Sequence, residues 1–320
     1  MRIFVAGATG AIGKQLVPRL VARGHDVGGT TRTPANLEQL RRQGATPYLM
    51  DGLDAEQVAA AVAAFEPEVI VHELTALGGF DFRAFERSFA LTNQLRTVGT
   101  DHLLAAGRAV GIKRFVAQSF AGWPFARTGS LIKSEDEPLD PNPIEPMRET
   151  LDAIRHVERA TLEANWTEGV VLRYAGLYGP GTGMEPGGEM LEVIRGRKLP
   201  IIGNGAGIWS FLHIEDAAEA TVIAAERGTR GTYQIADDEP AAVRDWLPVI
   251  AERLGGKPPM RVPRWLGRLL AGEAATLVMT EVRGASNAKA KRELGWTPRH
   301  TWRTSLGVEE PAATTRPKAA

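Results

Sequence analysis

Short apolar runs alternate with amphipathic stretches along the first 178 residues of the chain. The runs Ile3–Ala6, Glu68–His72 and Gly169–Arg173 are nearly continuous in apolar residues, which is typical of strands buried on both faces of a sheet. Between such runs, stretches such as Ala11–Arg23 place apolar residues at helical spacing. Strands that alternate with helices predict right-handed crossovers and a parallel sheet. The predicted fold class is therefore α/β, a Rossmann-type doubly wound parallel sheet. The other predicted strands are Asp26–Thr31, Thr46–Met50 and Lys113–Gln118, and the other predicted helices are Leu37–Gln43, Ala55–Phe65, Phe85–Val110 and 148–164.

The pattern changes after about Tyr178, where Gly and Pro become dense up to Gly188. Helices over Asp216–Arg227 and Asp245–Leu254 then dominate, with short strands near 200–202 and 232–235. We therefore predict a dinucleotide-binding Rossmann domain over 1–178, to which later segments can return. A smaller α/β substrate-binding lobe is predicted over 179–308, and a disordered tail over 309–320, where few residues are apolar.

Composition narrows the possible partners. Lys and Arg together number 38, as do Asp and Glu, and this balance argues against a nucleic-acid partner. The chain has no Cys, so disulfides and thiolate chemistry are excluded. No run approaches about 18 apolar residues, and the N-terminus enters a strand directly, without the pattern of a signal peptide. We predict a cytoplasmic protein with no membrane partner and a small-molecule substrate.

The turn after the first strand has the spacing G-x-x-G-x-x-G, formed by Gly7, Gly10 and Gly13. Such glycines allow a tight turn, close approach of the backbone to a pyrophosphate, and close packing of helix on strand. The following helix adds unpaired N–H groups and the positive end of its dipole. Because the pattern lies between a strand and a helix, it predicts a dinucleotide site rather than an ordinary turn. The predicted contacts from this loop are Gly7, Thr9, Gly10, Ala11, Ile12 and Gly13.

The end of the second strand bears on the choice of dinucleotide. NAD sites usually place an acid there, whereas an Arg accommodates the 2′-phosphate of NADP. This chain has Thr31 and Arg32 and no acid, which favours NADP and leaves NAD as the alternative. Asp51 could accept a hydrogen bond from the adenine amino group or lie in a solvated turn with Gly52. The remaining predicted cofactor contacts are Gly52, Leu74, Thr75 and Asn93.

Six segments in order resemble the extended short-chain dehydrogenase/reductase superfamily of NAD(P)-dependent epimerases, dehydratases and reductases. The glycine loop comes first, and Asn93, with Gly99-Thr100 and Leu103-Leu104 after it, resembles the family's N-x-x-G-T-x-x-L-L helix. The resemblance covers nearly the whole chain, and it implies a dimer through the helices at about 85–110 and 148–164. The other matching segments are 113–119 ending in Ser119, 172–181 with its Tyr-Gly-Pro-Gly, 211–218 with its Phe-x-His, and 292–298 with its Leu-Gly-Trp-x-Pro.

The family's chemistry uses a Ser or Thr together with a Tyr and a Lys spaced Y-x-x-x-K on one helix, and this chain lacks that pair. Spacing of four places both side chains on one helix face, where the Lys lowers the pKa of the phenol and binds the nicotinamide ribose. None of the four Tyr is followed by Lys at that spacing. If Glu158 matches the family's helical Glu, then Thr150 and Ile154 occupy the Tyr and Lys positions.

Three side chains are candidates for the missing proton chemistry. Ser119 follows a strand and could polarise a substrate, or simply cap the strand end. Glu149 lies beside the vacated Tyr position and could donate a proton if its pKa were raised, although a role at the helix start is the simpler interpretation. The phenol of Tyr174 could face the nicotinamide or pack beneath the second lobe. The predicted catalytic residues are these three.

Aromatic residues dominate the predicted substrate side. Trp123, Tyr178 and Trp209 are candidate substrate contacts, although each could instead be a core residue. Sugar-nucleotide members of the family often carry an Arg near the position of Trp209, and its absence favours a small, non-nucleotide substrate such as a carbonyl or enone compound. The sequence thus predicts an atypical NAD(P)-dependent oxidoreductase of the extended type. A dinucleotide-binding sensor, or an epimerase or dehydratase with a relocated acid/base, is the alternative.

Overall fold

The computed structural model of the protein describes residues 1–77 and 84–307. Seven of its strands form one parallel sheet. The strands, in chain order, are β1 (Arg2–Ala6), β2 (Asp26–Thr31), β3 (Thr46–Leu49), β4 (Val69–His72), β5 (Arg114–Phe120), β6 (Ile132–Lys133), β7 (Glu168–Tyr174), β8 (Gly176–Tyr178), β9 (Ile201–Ile202), β10 (Ile208–Trp209), β11 (Phe211–His213), β12 (Gly231–Ile235), β13 (Ala241–Ala242), β14 (Arg261–Val262) and β15 (Gly284–Ala285). The sheet order is β12-β7-β5-β4-β1-β2-β3, which confirms the predicted doubly wound α/β fold.

Helices cover both faces of this sheet. They are α1 (Ala11–Ala22), α2 (Leu37–Arg42), α3 (Ala55–Phe65), α4 (Phe85–Gln94), α5 (Thr100–Val110), α6 (Glu145–Glu163), α7 (Glu189–Arg195), α8 (Ile214–Arg227), α9 (Val243–Arg253), α10 (Arg264–Thr280) and α11 (Trp302–Ser305). A π-helical segment, Leu95–Gly99, joins α4 to α5, so the predicted helix over Phe85–Val110 is continuous but carries a π-helical turn. None of the helices in the described ranges is long and apolar enough to cross a membrane.

The central strands are buried on both faces, as their continuous apolar runs predicted. All four residues of β4 are buried. Ile3 of β1 is paired with Val27 on one side and Val69 on the other. Helix α1 packs beside α8 on one face, and α3 packs beside α5 on the other. Burial of branched side chains from both faces is the main source of stability for such a sheet.

Two later segments return to the first domain. Strand β12 pairs with β7 at the edge of the main sheet, with Gly231 opposite Val170, and α8 packs on α1. The smaller lobe is built around a separate apolar cluster that contains Trp246 and Trp302. A domain boundary after residue 178 therefore divides the fold only in part, since β12 and α8 pack on the first domain. The predicted tail, 309–320, lies outside the described residues.

Candidate functional site

The loop after β1 forms a cradle that only glycine fits. Gly7 has a φ of 97°, and a Cβ built on it would lie 2.6 Å from the backbone oxygen of Glu73. A Cβ on Gly13 would lie 2.3 Å from the backbone oxygen of Gly7. Gly10 is exposed at the start of α1, with Thr9 and Ala11 half-buried beside it and Ile12 buried below. Exposed N–H groups at a helix start, with no side chain in the way, fit the pyrophosphate of a dinucleotide.

The end of β2 closes one side of this cradle. The hydroxyl of Thr30 accepts a hydrogen bond from the Gly7 backbone N–H at 3.0 Å. The Thr31 hydroxyl accepts one from the Thr33 backbone N–H at 3.1 Å and lies 3.4 Å from that of Thr9. Arg32 is exposed and forms no ion pair or hydrogen bond with any described residue. An exposed, unpaired guanidinium thus lies where the 2′ group of the adenosine ribose is expected.

The other predicted adenosine contacts lie close together. Asp51 accepts a hydrogen bond from the Leu53 backbone N–H at 3.0 Å, within a turn. A Cβ on the adjacent Gly52 would lie 2.5 Å from a methyl carbon of Leu74, so these two residues are in contact across the cleft. Thr75 is half-buried after β4. The arrangement fits a wall for the adenine, with Asp51 at its edge.

Helix α6 buries the positions that should carry the Tyr and Lys. Thr150 and Ile154 are both fully buried. The Asn93 side-chain amide donates a hydrogen bond to the Thr150 hydroxyl at 3.1 Å, which ties α4 to α6. Neither position offers a phenol or an amine. The site therefore lacks the usual proton donor on this helix.

Ser119 belongs to a buried ion-pair network. Its hydroxyl donates to Glu158 Oε1 at 2.6 Å. Arg173 binds both oxygens of the same carboxylate, through Nε and Nη2, each at 2.7 Å. All three side chains are buried. Because the Ser119 proton is engaged with Glu158, this serine presents acceptor lone pairs, and not a donor, to the cleft.

Arg96 was missed by the sequence reasoning. It is 4% exposed, and its Nε and Nη1 are buried without a hydrogen-bond partner among the described residues. Burial lowers the pKa of its guanidinium to about 10, against the opposing effect of Glu158. A signal was present: in the family pattern N-x-x-G-T the Asn precedes the Gly by three residues, and counting back from Gly99 gives Arg96 rather than Asn93.

Tyr174 lies in the core beneath the sheet edge, 1% exposed. Its hydroxyl is 2.9 Å from Glu73 Oε1 and 2.7 Å from the Thr221 hydroxyl, which donates to the backbone oxygen of Ala217. The Tyr174 hydroxyl donates to Glu73 Oε1, and burial raises the pKa of this carboxyl to about 8. The structure thus engages the predicted catalytic phenol in a structural chain.

Glu149 is exposed on α6, outside this buried network. It lines a surface groove between α4 and α6 that also contains Asn93 and His156. The structure therefore separates the three predicted catalytic residues, since Ser119 and Tyr174 are buried and engaged while Glu149 faces solvent. None of them has the surroundings expected of a proton donor to substrate.

An apolar cavity of about 300 Å³ opens at the carboxyl end of β5. Its walls include Phe120, which directly follows Ser119 in the chain, and two of the three predicted substrate contacts, Trp123 and Trp209. The Trp209 indole N–H donates to the Val278 backbone oxygen at 3.0 Å, which fixes the ring in the wall. Tyr178 is not part of the lining and packs edge-on against the ring of His213. The remaining lining residues are Phe85, Phe89, Ala121, Gly122, Gly176, Leu177, Met190, Ile208, Ser210, Val278 and Val282.

One cluster among the described residues could supply three metal ligands: His213, Glu215 and His300, whose ligand atoms lie within 4.8 Å of one another. The two imidazole rings stack face to face with centroids 4.0 Å apart. His300 Nδ1 also lies 3.1 Å from the carboxylate of Asp216. Stacked rings direct their nitrogens along parallel planes, so we interpret the cluster as packing between α8 and the segment before α11.

Comparison with known proteins places this chain in a family. The model of the NAD dependent epimerase/dehydratase family matches residues 3–236. A 3-diazoavenalumate denitrifying reductase from a Streptomyces species is 44% identical over 312 residues, which cover 97% of this chain and 100% of that protein. A ketoreductase from Stigmatella aurantiaca, named for a 4-hydroxy-2-methyl-3-oxo-4-farnesyl-3,4-dihydroquinoline-1-oxide, is 27% identical over 96% of this chain and 95% of its own length.

Solved structures agree with the fold. UDP-glucose 4-epimerase from Thermotoga maritima, determined with UDP-glucose, superposes with a TM-score of 0.76 at 23% identity and covers 96% of each chain. The similarity to these reductases and epimerases confirms the predicted function, an oxidoreductase of the extended short-chain dehydrogenase type that acts on a small molecule, and does not favour the sensor alternative. The chain belongs to the NAD-dependent epimerase/dehydratase family.

Proposed function

We propose that this protein is an NADPH-dependent reductase for a flat aromatic substrate, and that the substrate carries a diazo group that leaves as N2. The observation that carries the proposal is the combination of an aromatic pocket at the carboxyl end of β5 with the loss of the proton donor from α6. The bound cofactor would supply a hydride. The protein's own residues would hold the ring, exclude water and fix the reacting carbon.

The pocket suits an aromatic ring better than a sugar. Phe85 and Phe89 lie with ring centroids 4.7 Å apart, and Trp123 meets Phe85 edge-on at 5.4 Å. Such walls offer apolar faces and edges for stacking but few groups that could bind sugar hydroxyls. The volume of about 300 Å³ fits a single-ring compound with a short side chain.

The missing proton donor bears on the reaction class. Reduction of a ketone leaves an alkoxide that must take up a proton, and Thr150 and Ile154 cannot supply one. Replacement of a diazonium group by hydride needs no proton at the reacting carbon. The carbon–nitrogen bond breaks, its electron pair leaves with N2, and the two electrons of the hydride form the new carbon–hydrogen bond. A site without the Tyr and Lys can therefore perform this reduction.

The Streptomyces relative is named for removal of nitrogen from a diazo compound by reduction, and its 44% identity extends over the whole of its length. This supports the same substrate class here. The ketoreductase relative supports reduction of a ketone as the second candidate. The two candidates differ in product, so one experiment separates them.

The decisive assay supplies 3-diazoavenalumate and NADPH deuterated at nicotinamide C4. We expect one N2 released per NADPH oxidised, and deuterium on the ring carbon that carried nitrogen, measured by gas analysis and mass spectrometry. A parallel reaction without enzyme corrects for spontaneous loss of N2. NADPH oxidation with aromatic ketones and none with the diazo compound would replace the first candidate by the second.

Arg32→Ala is expected to raise the Kd for NADPH by about 10- to 100-fold, because a charge-assisted contact to the 2′-phosphate is lost. The Kd for NADH should not change. Titration of the tryptophan fluorescence with each dinucleotide measures both values. Arg108→Ala removes an exposed Arg from α5 and serves as the charge control. Tighter binding of NADH than NADPH by the unmodified protein would contradict the assignment of NADP.

Val282→Phe is expected to fill part of the cavity and to lower kcat/KM for an aromatic substrate by about 100-fold, because a bulkier ring takes the substrate's place. The Kd for NADPH should stay the same. Steady-state kinetics and dinucleotide titration check the two halves of this prediction. Val98→Phe, at an exposed position on the π-helical segment, is the size control. Unchanged kcat/KM in Val282→Phe would place the substrate elsewhere.

The homodimer and the cytoplasmic location stay predictions.

A further inference from the structure

The buried charges next to the cavity do not balance. Glu158 carries one negative charge, and Arg173 already binds both of its oxygens. Arg96 adds a second buried positive charge within electrostatic reach of Glu158. The imidazole of His72, which faces Arg96, is neutral at pH 7 because burial lowers its pKa to about 4. Glu135, which is half-buried, also interacts with Arg173. Among the fully buried side chains named here, one net positive charge remains in the interior, a costly arrangement unless a ligand compensates it.

The position of Arg96 indicates which ligand could compensate this charge. Its backbone oxygen accepts a hydrogen bond from the Thr100 hydroxyl at 2.7 Å, and that hydroxyl is 3.0 Å from His72 Nε2 at the end of β4. Glu158, its neighbour on the other side, binds Ser119 near the end of β5. Arg96 thus lies at the carboxyl ends of β4 and β5. In open α/β sheets the part of a dinucleotide that extends from the phosphate loop crosses these ends.

The nitrogens of Arg96 are available for such a ligand. Nε and Nη1 are buried, and neither has a hydrogen-bond partner among the described residues. Asn93, one helical turn earlier, has a buried side-chain oxygen that is also without a partner. Two donors and one acceptor thus stand unsatisfied on neighbouring turns, a pattern that fits hydroxyl groups, which both accept and donate.

We propose that Arg96 binds the nicotinamide half of the cofactor through the ribose hydroxyls, in place of the cation absent from position 154. The inference rests on the proposed function and adds to it a preference for reduction over oxidation. Oxidised nicotinamide carries a positive charge and the reduced ring does not. A buried, uncompensated guanidinium beside the ring therefore disfavours the oxidised form and favours NADPH over NADP⁺. Arg96 would in this way bias the protein toward reduction.

The test measures the Kd of NADPH and of NADP⁺ separately, by calorimetry, for the unmodified protein and for Arg96→Met. We expect the ratio Kd(NADP⁺)/Kd(NADPH) to fall by about five- to tenfold in Arg96→Met, because the repulsion of the oxidised ring is removed. Arg96→Lys should keep the ratio and lose part of the NADPH affinity. Arg108→Met, which removes an exposed charge from α5, should change neither value.

Thermal unfolding without ligand provides the second readout. Removing an uncompensated buried charge should leave Tm unchanged or raise it, whereas a purely structural Arg would lower it. If Arg96→Met does not fold, Arg96→Gln replaces it as the neutral variant. Equal changes in both dissociation constants, or none, would overturn the inference while leaving the proposed function standing. Failure of the unmodified protein to bind either dinucleotide would overturn both.

Discussion

Glu158→Ala is expected to lower the free energy of unfolding by about 3–5 kcal/mol, the usual cost of leaving a buried charge without its partner. The side chain binds Arg173 at two points and accepts the hydroxyl proton of Ser119. Its removal leaves two buried guanidinium groups, those of Arg173 and Arg96, without the buried carboxylate that interacts with both. Urea unfolding followed by circular dichroism, with the slope compared between variants, measures the change.

Glu145→Ala is the matched control, since Glu145 lies on the same helix and pairs with Arg148 at the surface. An exposed pair of this kind contributes about 0–1 kcal/mol. A loss below about 1 kcal/mol in Glu158→Ala would show that water reaches the network and satisfies the two guanidinium groups. Arg173→Met is expected to lower the free energy of unfolding by less than Glu158→Ala does, because Arg96 then remains near the Glu158 carboxylate.

Gly13→Ala is expected to reduce dinucleotide affinity by at least about 100-fold and to lower stability by about 2 kcal/mol. The added Cβ would lie 2.3 Å from the backbone oxygen of Gly7 and 2.6 Å from that of Ala8. Both contacts are to backbone, so the loop itself must move away from α1. That movement displaces the N–H groups that face the pyrophosphate. Dinucleotide titration and thermal unfolding measure the two effects.

Gly183→Ala is the control for this substitution. A Cβ on Gly183 meets no atom within 4 Å, and the residue lies in the loop before α7. Both its cofactor affinity and its Tm should match those of the unmodified protein. Retention of NADPH affinity in Gly13→Ala would show that the loop can accommodate the added Cβ. It would also show that the close packing of helix on strand is not required for binding.

The sequence predicted the sheet and the phosphate loop because both depend on local pattern. Strand Asp26–Thr31 and helix Ala55–Phe65 have the predicted bounds, and the glycines of the loop lie where the turn requires them. The loss of the Tyr and Lys was visible because it concerns fixed spacing along one helix. In each case the neighbours that decide the conformation are only a few residues away.

The buried network could not be predicted in the same way. Ser119, Glu158 and Arg173 meet only after three separate elements pack together. From the sequence alone, Tyr174 could lie either in the cleft or in the core. Its burial depends on contacts with Glu73 and Thr221, which are 101 and 47 residues away along the chain. Arg96 differs from these cases, because the spacing N-x-x-G-T counted back from Gly99 already places it at the family's Asn position.

The π-helical segment Leu95–Gly99 separates α4 from α5 within one continuous helix. Phe85 and Phe89, in front of it, line the cavity, while Thr100, behind it, is fixed to His72 at the sheet. In an α-helix each residue added or removed rotates the preceding part by about 100°. A single residue gained or lost within Leu95–Gly99 would therefore turn the aromatic wall, and it would move Arg96 as well, because Arg96 lies in that segment. Insertions or deletions here would change the shape of the accepted substrate and the proposed cofactor contact together.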